Sequence, residues 1–341
     1  MSTFRTPYLL LGIVKQDYWL AILIAIVLDI SVGLFLFILG NRNPGLTIFE
    51  YSLTLLGGFI GRLAAGAYIL FFIQVAVLMA RSLDESLLLI MPETPVWVFA
   101  MVMVSLAGLA VYNGLEVIGR LAELIGVILL FLAGVVPLLA INMADFGNLL
   151  PLLQSSPPAI IKAGLLMTSF FGVCIVMGVL MAYLKHPEAA LKVKAGAVVA
   201  SGLLMLAVDG VALAIFGAQT ISTVIHISFN VARLISIRAF FERLEALNMV
   251  LWVSGGFLTI AIVYYCAALG LAQILKLRRY QIFTLPLGVV IIALTLWEFD
   301  NRVGADRFVL QVFMWYALAV EAGLTAILLV VSLLRPQKKK V

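Results

Sequence analysis

The chain alternates long uncharged apolar runs with short polar connections. Five runs lie at about residues 18–39, 63–80, 96–113, 124–143 and 163–184. Four more lie at about residues 195–216, 246–275, 280–297 and 308–334. A helix needs about 20 mostly apolar residues to cross the hydrocarbon core of a bilayer. The pattern therefore predicts an all-α integral membrane protein with about nine full transmembrane helices, and the run at 246–275 is long enough to predict a tilted helix.

The composition excludes an ordinary soluble protein. Of the 341 residues, 64% are hydrophobic and only 11% are charged, which lies far from soluble composition. The net charge of +5 does not indicate nucleic-acid binding, because the basic residues lie in small groups beside the apolar runs. Cys174 and Cys266 lie inside apolar runs, so we expect neither a disulfide nor a metal site. No cleavable signal peptide is predicted, since the apolar stretch 8–14 is short.

The distribution of charge predicts the orientation in the membrane. Cytoplasmic connections of bacterial membrane proteins are rich in lysine and arginine. Three basic groups share one side if the C-terminus is cytoplasmic, namely Lys185, Lys192 and Lys194, then Lys276, Arg278 and Arg279, then Arg335, Lys338, Lys339 and Lys340. The opposite connections mix acids with bases, as Asp84, Glu85 and Glu93 do beside Arg81. Nine spans then place residue 1 outside.

Two exterior connections are longer than simple turns. Residues 226–247 alternate apolar side chains such as Phe229 and Leu234 with charges, which predicts an amphipathic interfacial helix. Residues 145–162 contain three prolines and predict an ordered exterior cap or a short broken helix. Either connection is a candidate partner surface.

Three acidic residues lie within the predicted spans, Asp29, Asp209 and Glu321. An ionisable group at the bilayer centre costs about 2.5–3.5 kcal/mol on insertion scales, so each requires a reason. One interpretation makes them proton-coupling or cation sites of a transport cycle. The other makes them hydrogen-bonded groups between helices or groups that water reaches.

Other polar or small residues in the spans are candidates for ligand binding. Tyr68, Gln74, Tyr264 and Tyr265 either face a central cavity or form interhelical hydrogen bonds. The segment 167–178 contains two glycines and two small polar residues, and we name Phe170, Phe171, Gly172, Val173 and Cys174 within it as ligand-binding candidates. Such a segment can unwind to present backbone groups to a ligand, or its glycines can permit close helix packing. The residues alone leave both interpretations open.

Several motifs resemble one known family. They are MPETP at 91–95, GLEVIGRLAE at 114–123, PGLTIFEY at 44–51, NLLP at 148–151 and FERLE at 241–245. Their order and spacing resemble the spore germinant receptor B-subunit family of endospore-forming bacteria, from about residue 8 to the C-terminus. The motifs also have structural interpretations. Glu116 and Arg120 are spaced to pair along a helix, and the prolines of 92–95 favour a turn that restarts a helix.

The resemblance implies a fold related to the amino acid/polyamine/organocation transporters. That leucine-transporter-like fold is one polytopic domain, here 1–341, with two inverted repeats at about 1–145 and 160–335. Its first and sixth helices are broken at the midplane, and segment 167–178 corresponds to the sixth. Asp29 and Asp209 would occupy equivalent helices of the two repeats. Only residues 7–14 precede the first full span, so we expect a truncated first helix, and Val173 stands where the family has an acidic residue.

The resemblance also implies a function. The expected role is a membrane subunit of a spore germinant receptor that senses a small nutrient, with an amino acid as the expected class. A and C subunits are the implied partners, and the spore inner membrane is the implied location. A proton-coupled amino acid permease and a scaffold that binds nothing are the alternatives. His186 and His226 are isolated and no nucleophile, metal or phosphate motif occurs, so we predict no enzyme, catalytic residue, cofactor, metal or nucleic-acid partner.

Overall fold

The computed structural model describes residues 6–221, 224, 226–235, 244–299 and 301–335. The described residues form helices joined by short turns, without a strand. The α-helices of the first half are α1 Thr6–Val14, α2 Tyr18–Arg42, α3 Ile48–Leu56, α4 Gly58–Leu87, α5 Val96–Asn113, α6 Leu115–Ala140 and α7 Pro157–Phe171. Those of the second half are α8 Met177–Leu180, α9 Ala190–Thr220, α10 Ile227–Leu234, α11 Leu244–Ile274, α12 Thr284–Trp297, α13 Arg302–Phe308, α14 Met314–Leu318 and α15 Thr325–Leu334.

Nine helical segments within the described ranges are long and apolar enough to cross a bilayer. They are Tyr8–Arg42, Gly58–Leu87, Val96–Asn113, Leu115–Met143, Pro157–Tyr183, Pro187–Thr220, Leu247–Ile274, Tyr280–Trp297 and Arg302–Leu334. Each overlaps one of the nine predicted runs. The prediction of an all-α membrane protein with about nine spans is therefore confirmed.

Helix α2 lies at the centre of one half of the bundle. It packs against α7, α9 and α15, while α11 packs along α4, α5 and α6 in the other half. The buried side chains of α2 recur every three or four residues, as Ala25, Asp29, Val32 and Leu36 illustrate. The short helix α1 packs against α7 and buries Leu10 completely.

Two helices extend beyond their uncharged runs, which corrects the predicted connections. Helix α4 continues to Leu87, and Asp84, expected in an exterior connection, is fully buried within it. Helix α9 begins at Ala190, so Lys194, expected in a cytoplasmic connection, lies in the helix and is only 6% exposed. The first charge does not end these helices, because each of these charged side chains faces the protein rather than lipid.

The exterior connections are partly as predicted. Helix α10 covers the beginning of the predicted amphipathic helix, but it ends at Leu234, and Leu247 belongs to α11. The rest of that prediction, residues 236–243, lies outside the described residues. The connection at 145–162 forms a 3₁₀ turn at Phe146–Leu149 before α7 begins at Pro157.

Residues 145–156, which we call the exterior cap after their predicted side of the membrane, are held by hydrogen bonds to two other elements. The Asp145 N–H and the Asn148 side-chain amide both donate to the Ala214 carbonyl, at 3.1 and 2.9 Å. The buried Asp17 carboxylate accepts from the backbone N–H groups of Leu153 and Ser155, at 2.5 and 2.6 Å. The ordered cap predicted from the prolines is therefore present.

The family-like motifs form local structure. Thr47 and Glu50 make a reciprocal capping box at the start of α3, which satisfies two backbone donors. Pro95 precedes the first residue of α5, as predicted. Arg120 and Glu116 pair at 2.6 Å as predicted, but both side chains are largely exposed, so the pair contributes little stability.

Candidate functional site

The helix that carries Gly172 tightens at mid-membrane. Helix α7 passes at Gly172 into a 3₁₀ stretch, Gly172–Val176, and then into α8. The Thr168 and Ser169 hydroxyls donate to the carbonyls of Gly164 and Leu166, at 2.9 and 2.7 Å. Hydroxyls bonded back to the helix in this way compete with its own ladder and often bend it. The segment therefore changes its pitch without breaking into extended chain.

The Glu321 carboxyl group covers Gly172. A Cβ placed on Gly172 would collide with both oxygens of Glu321. Glu321 is 1% exposed, and neither oxygen has a hydrogen-bond partner within the described part of the chain. It lies in a π-helical segment, Ala319–Leu324, a helix type that often occurs at functional sites. Only glycine at position 172 leaves room for this carboxyl group.

A buried ion pair lies nearby. Lys194 Nζ is 3.1 Å from Asp29 Oδ2 and donates to the Asp29 backbone carbonyl at 2.7 Å. The Lys194 stem crosses α2 at Gly33, where a Cβ would be 2.7 Å from Lys194 Cδ. The Gly172–Val176 stretch, which Glu321 covers at Gly172, packs against α2, the helix that carries Asp29. We call Asp29, Lys194 and Glu321 the central charge cluster.

Sequence reasoning found the two acids of the central charge cluster but missed Lys194. A signal existed, because Lys194 follows Ala190 and precedes Val198 and Gly202 at steps of four, and all four residues are buried. This spacing places Lys194 on the inward stripe of α9.

The predicted ligand-binding residues of the Gly172 segment lie beside this cluster. Phe170 and Phe171 are buried, and the Phe170 ring is 6.2 Å from that of Phe313 on the last helix. Val173 and Cys174 are half-buried in the 3₁₀ stretch that packs against α2. The structure therefore places all five residues at or beside Gly172, the position that Glu321 covers, and their ligand-binding role stays a prediction.

The other four candidates link helices. Tyr68 Oη is 3.0 Å from Thr325 Oγ1, one turn beyond Glu321. Gln74 Nε2 donates to both oxygens of Glu298, at 2.9 Å each. Tyr264 donates to the Thr284 carbonyl, and the Tyr265 ring packs edge-on against Tyr280 at 5.2 Å. Tyr68, Gln74 and Tyr264 thus form the interhelical hydrogen bonds that one interpretation expected.

Glu298 follows the last residue of α12, on the side of the bundle that is predicted to be exterior. Its burial raises the pKa of its carboxyl group, and the hydrogen bonds from Gln74 oppose that shift. Gln74 therefore stabilises the ionised form of Glu298.

Asp209 occupies a different place from the central charge cluster. It is 1% exposed, and its two oxygens have no hydrogen-bond partner among the described residues. The Tyr18 hydroxyl lies close to the next residue of α9, Gly210, where a Cβ would be 2.6 Å from it, and it donates to the Leu206 carbonyl at 3.1 Å. The repeat equivalence of Asp29 and Asp209 stays a prediction.

Comparison with known proteins identifies the family. A family described as spore germination protein matches residues 6–303. The chain belongs to this spore germination protein family. The resemblance inferred from the motifs is thereby confirmed.

Individual members of the spore germination protein family in Bacillus subtilis (strain 168) are similar over most of the chain. Spore germination protein YndE is 26% identical over 339 residues, which cover 96% of this chain and 90% of that protein. Spore germination protein KB is 24% identical over 304 residues, or 86% of this chain and 80% of that protein. Putative spore germination protein YfkT is 23% identical over 303 residues, or 87% and 82%.

The family match includes most of the candidate site. Asp29, Gly172 and Lys194 lie within the region that matches the spore germination protein family, whereas Glu321 lies beyond residue 303. The similarity to YndE covers 96% of the chain. The site thus combines a part within the family match with a last helix that the similarity to YndE reaches.

Proposed function

We propose that this chain is the membrane subunit of a spore germinant receptor that senses a small nutrient, with an amino acid as the expected class. The family match over residues 6–303 carries the proposal. Two relatives of similar length, YndE and KB, are named spore germination proteins. On this proposal the protein resides in the spore inner membrane and works with A and C subunits.

The proposed nutrient site lies between the Gly172 segment, α4 and α11. Contacts join α11 to the 3₁₀ stretch and α4 to the π-helical segment that carries Glu321. A nutrient that binds one arrangement of these helices more tightly than another would shift their equilibrium, and net transport is not required. The inverted repeats 1–145 and 160–335 would supply the two groups of helices that move.

The experiment is a binding titration of the purified protein in nanodiscs against amino acids, sugars and nucleosides. Val173→Phe adds bulk at the proposed site, and Val127→Phe is the matched control on the exposed face of α6. We expect an amino acid to bind the wild type and the control, with affinity reduced at least about tenfold in Val173→Phe.

Two results would contradict the proposed site. Equal binding by both variants would place the nutrient elsewhere. Absence of binding, both alone and after coexpression with A and C subunits, would favour a scaffold that binds nothing.

The central charge cluster favours a second candidate function, a proton-coupled amino acid permease. Buried ionisable groups in transporters commonly mark proton or ion pathways. Asp29, Asp209 and Glu321 are the proton-coupling candidates, and two of them are in the cluster. Amino acid uptake into proteoliposomes should then depend on a pH gradient, and Asp29→Asn, Asp209→Asn or Glu321→Gln should change that dependence. If none of the three does so, the permease candidate fails.

A further inference from the structure

A cavity of about 210 Å³ lies in the half of the bundle that we assign to the exterior. It lies between the second half of α6, the first half of α11, the second half of α9, α10, and Met79 of α4. The described residues that line it include Leu129 and Ala133 of α6, Val208 of α9, Ser228 of α10, and Asn248 and Trp252 of α11. The proposed nutrient site shares no residue with this lining.

The shape of the cavity depends on small residues. Gly255 and Gly256 form part of the wall on α11, and Ala133 forms part of the wall on α6. A Cβ on Gly255 would lie 3.6 Å from Leu129 and would fit, whereas a Cβ on Gly256 would press on Leu83 and Met79. The cavity is several times the roughly 30 Å³ that one water takes in the liquid, and smaller than the ~300–1,000 Å³ of pockets for drug-sized ligands.

One polar group of the lining is unsatisfied. Asn248 is 4% exposed, and its side-chain Nδ2 has no hydrogen-bond partner among the described residues. A buried donor left without a partner costs about 1–3 kcal/mol. Rotation of the side-chain amide exchanges its nitrogen and oxygen, and turning Nδ2 toward the cavity sacrifices no hydrogen bond. Asn248 therefore gains a bond if the cavity holds an acceptor.

The charge of the lining restricts the ligand. None of the described lining residues is ionisable, and most are apolar. A charged molecule would lose its hydration without gaining an opposite charge. An uncharged molecule with an apolar body and one hydrogen-bond acceptor could pack against the apolar lining and accept a hydrogen bond from Asn248.

We propose that this cavity is a second binding site, for a small uncharged organic molecule that carries one hydrogen-bond acceptor. Asn248 donates to the acceptor, and the apolar body lies against α6 and Trp252. The site joins α6, in the first predicted repeat, to α9, α10 and α11, in the second. A bound molecule therefore stabilises one relative position of these helices. The proposal does not depend on the identity of the germination nutrient.

The test uses 4-fluorobenzyl alcohol as the probe, followed by ¹⁹F NMR with purified full-length protein in nanodiscs. The charged relatives 4-fluorobenzylamine and 4-fluorobenzoate report on charge selection. Asn248→Leu removes the donor at similar volume, and Ala133→Leu fills the cavity. Gly134→Ala is the matched control, since Gly134 neighbours Ala133 and its Cβ would meet nothing within 4 Å.

We expect saturable binding of the alcohol to the wild type and to Gly134→Ala, in excess of its partition into protein-free nanodiscs. Binding should weaken at least about tenfold in Asn248→Leu, equivalent to ~1.4 kcal/mol, and disappear in Ala133→Leu. Neither charged probe should saturate. Unchanged binding in both cavity variants, equal saturation by a charged probe, or no saturable binding to the wild type would overturn the proposal. Melting curves of every variant show whether a loss reflects the site or the fold.

Discussion

Two oxygen atoms of a single residue, Asp29, hold the Lys194 ammonium group. The pair is almost completely buried, with side-chain exposures of 4% and 1%. Transfer of each ion from water costs several kcal/mol, and their attraction offsets that cost only while both remain. Replacing one charged side chain of the pair should therefore reduce stability far more than replacing both.

This gives the first prediction. Lys194→Met should lower the free energy of unfolding by about 3–5 kcal/mol, because it leaves Asp29 buried and unpaired. The double variant Asp29→Asn with Lys194→Met should recover most of that loss. Chaotrope-induced unfolding in detergent, followed by tryptophan fluorescence, measures both. Lys192→Met, at an exposed position of the same helix, is the control, and a single variant as stable as this control would refute the pair's role.

Gly172 gives the second prediction. Gly172→Ala should destabilise the protein by about 1–3 kcal/mol, because the new methyl group collides with the Glu321 carboxyl group. Adding Glu321→Ala should remove the collision. Gly172→Ala should therefore be less destabilising in a protein that already carries Glu321→Ala than in the wild type. Gly66→Ala is the control, since its Cβ would have open space around it and alanine favours a helix. Additive effects of the two substitutions in a thermodynamic cycle would contradict the contact.

The sequence could identify Asp29, Gly172 and Glu321 because acids and glycines are conspicuous in apolar runs. It could not show which of them meet. Contact between Glu321 and Gly172 depends on the rotation of two helices about their axes, and neither rotation follows from hydropathy. Hydropathy places Lys194 in a connection because the uncharged run begins after it, although the spacing of Lys194 matches the buried stripe of α9.

At the scale of elements, the two helices that meet at the site both depart from α-helical pitch. The Gly172–Val176 stretch is 3₁₀, and the last helix has π-helical segments at Val309–Phe313 and Ala319–Leu324. A tighter or wider turn changes which side chains share a face. Phe313 and Glu321 both lie in the π-helical segments, and both contact the helix that carries Gly172. The pattern of residues in the sequence does not predict these changes of helical pitch.

The exterior cap gives the third prediction. Asp17→Ala should speed amide hydrogen exchange at Leu153 and Ser155 by about tenfold or more, because hydrogen bonds to a charged group contribute ~1.5–3 kcal/mol. Ser155→Ala is the matched control, since it removes the side-chain hydroxyl bond to Val14 and leaves both backbone bonds to Asp17. Hydrogen exchange with mass spectrometry of peptides from 150–156 measures the change. Equal protection in Asp17→Ala and the wild type would show that Asp17 does not order the cap.

At the scale of the whole molecule, residues assigned to the same side of the membrane meet. Arg42 donates to the Ser332 carbonyl at 2.7 Å and to the Arg335 carbonyl at 3.1 Å, all on the predicted cytoplasmic side. Asp17 meets Ser155 on the opposite side. Nine alternating spans place the members of each pair on a common side, so these contacts agree with the count and order of spans predicted from hydropathy. The direction of the bundle in the membrane depends on the charge bias instead.

That direction is the fourth prediction. Glu93 and Lys185 are separated by the three spans of α5, α6 and α7–α8, whereas Lys185 and Arg278 are separated by the two spans of α9 and α11. All three residues are exposed. In intact cells a membrane-impermeant maleimide should therefore label Glu93→Cys but not Lys185→Cys or Arg278→Cys, and permeabilisation should expose the latter two.

The outcomes of the labelling separate orientation from fold. The reverse pattern would invert the orientation and leave the nine spans intact, because Lys185 and Arg278 would still react together. Labelling of Lys185→Cys without Arg278→Cys would instead contradict the threading of α9 and α11. In the predicted orientation the exterior cap and the cavity beside Asn248 lie in the outer half of the membrane protein.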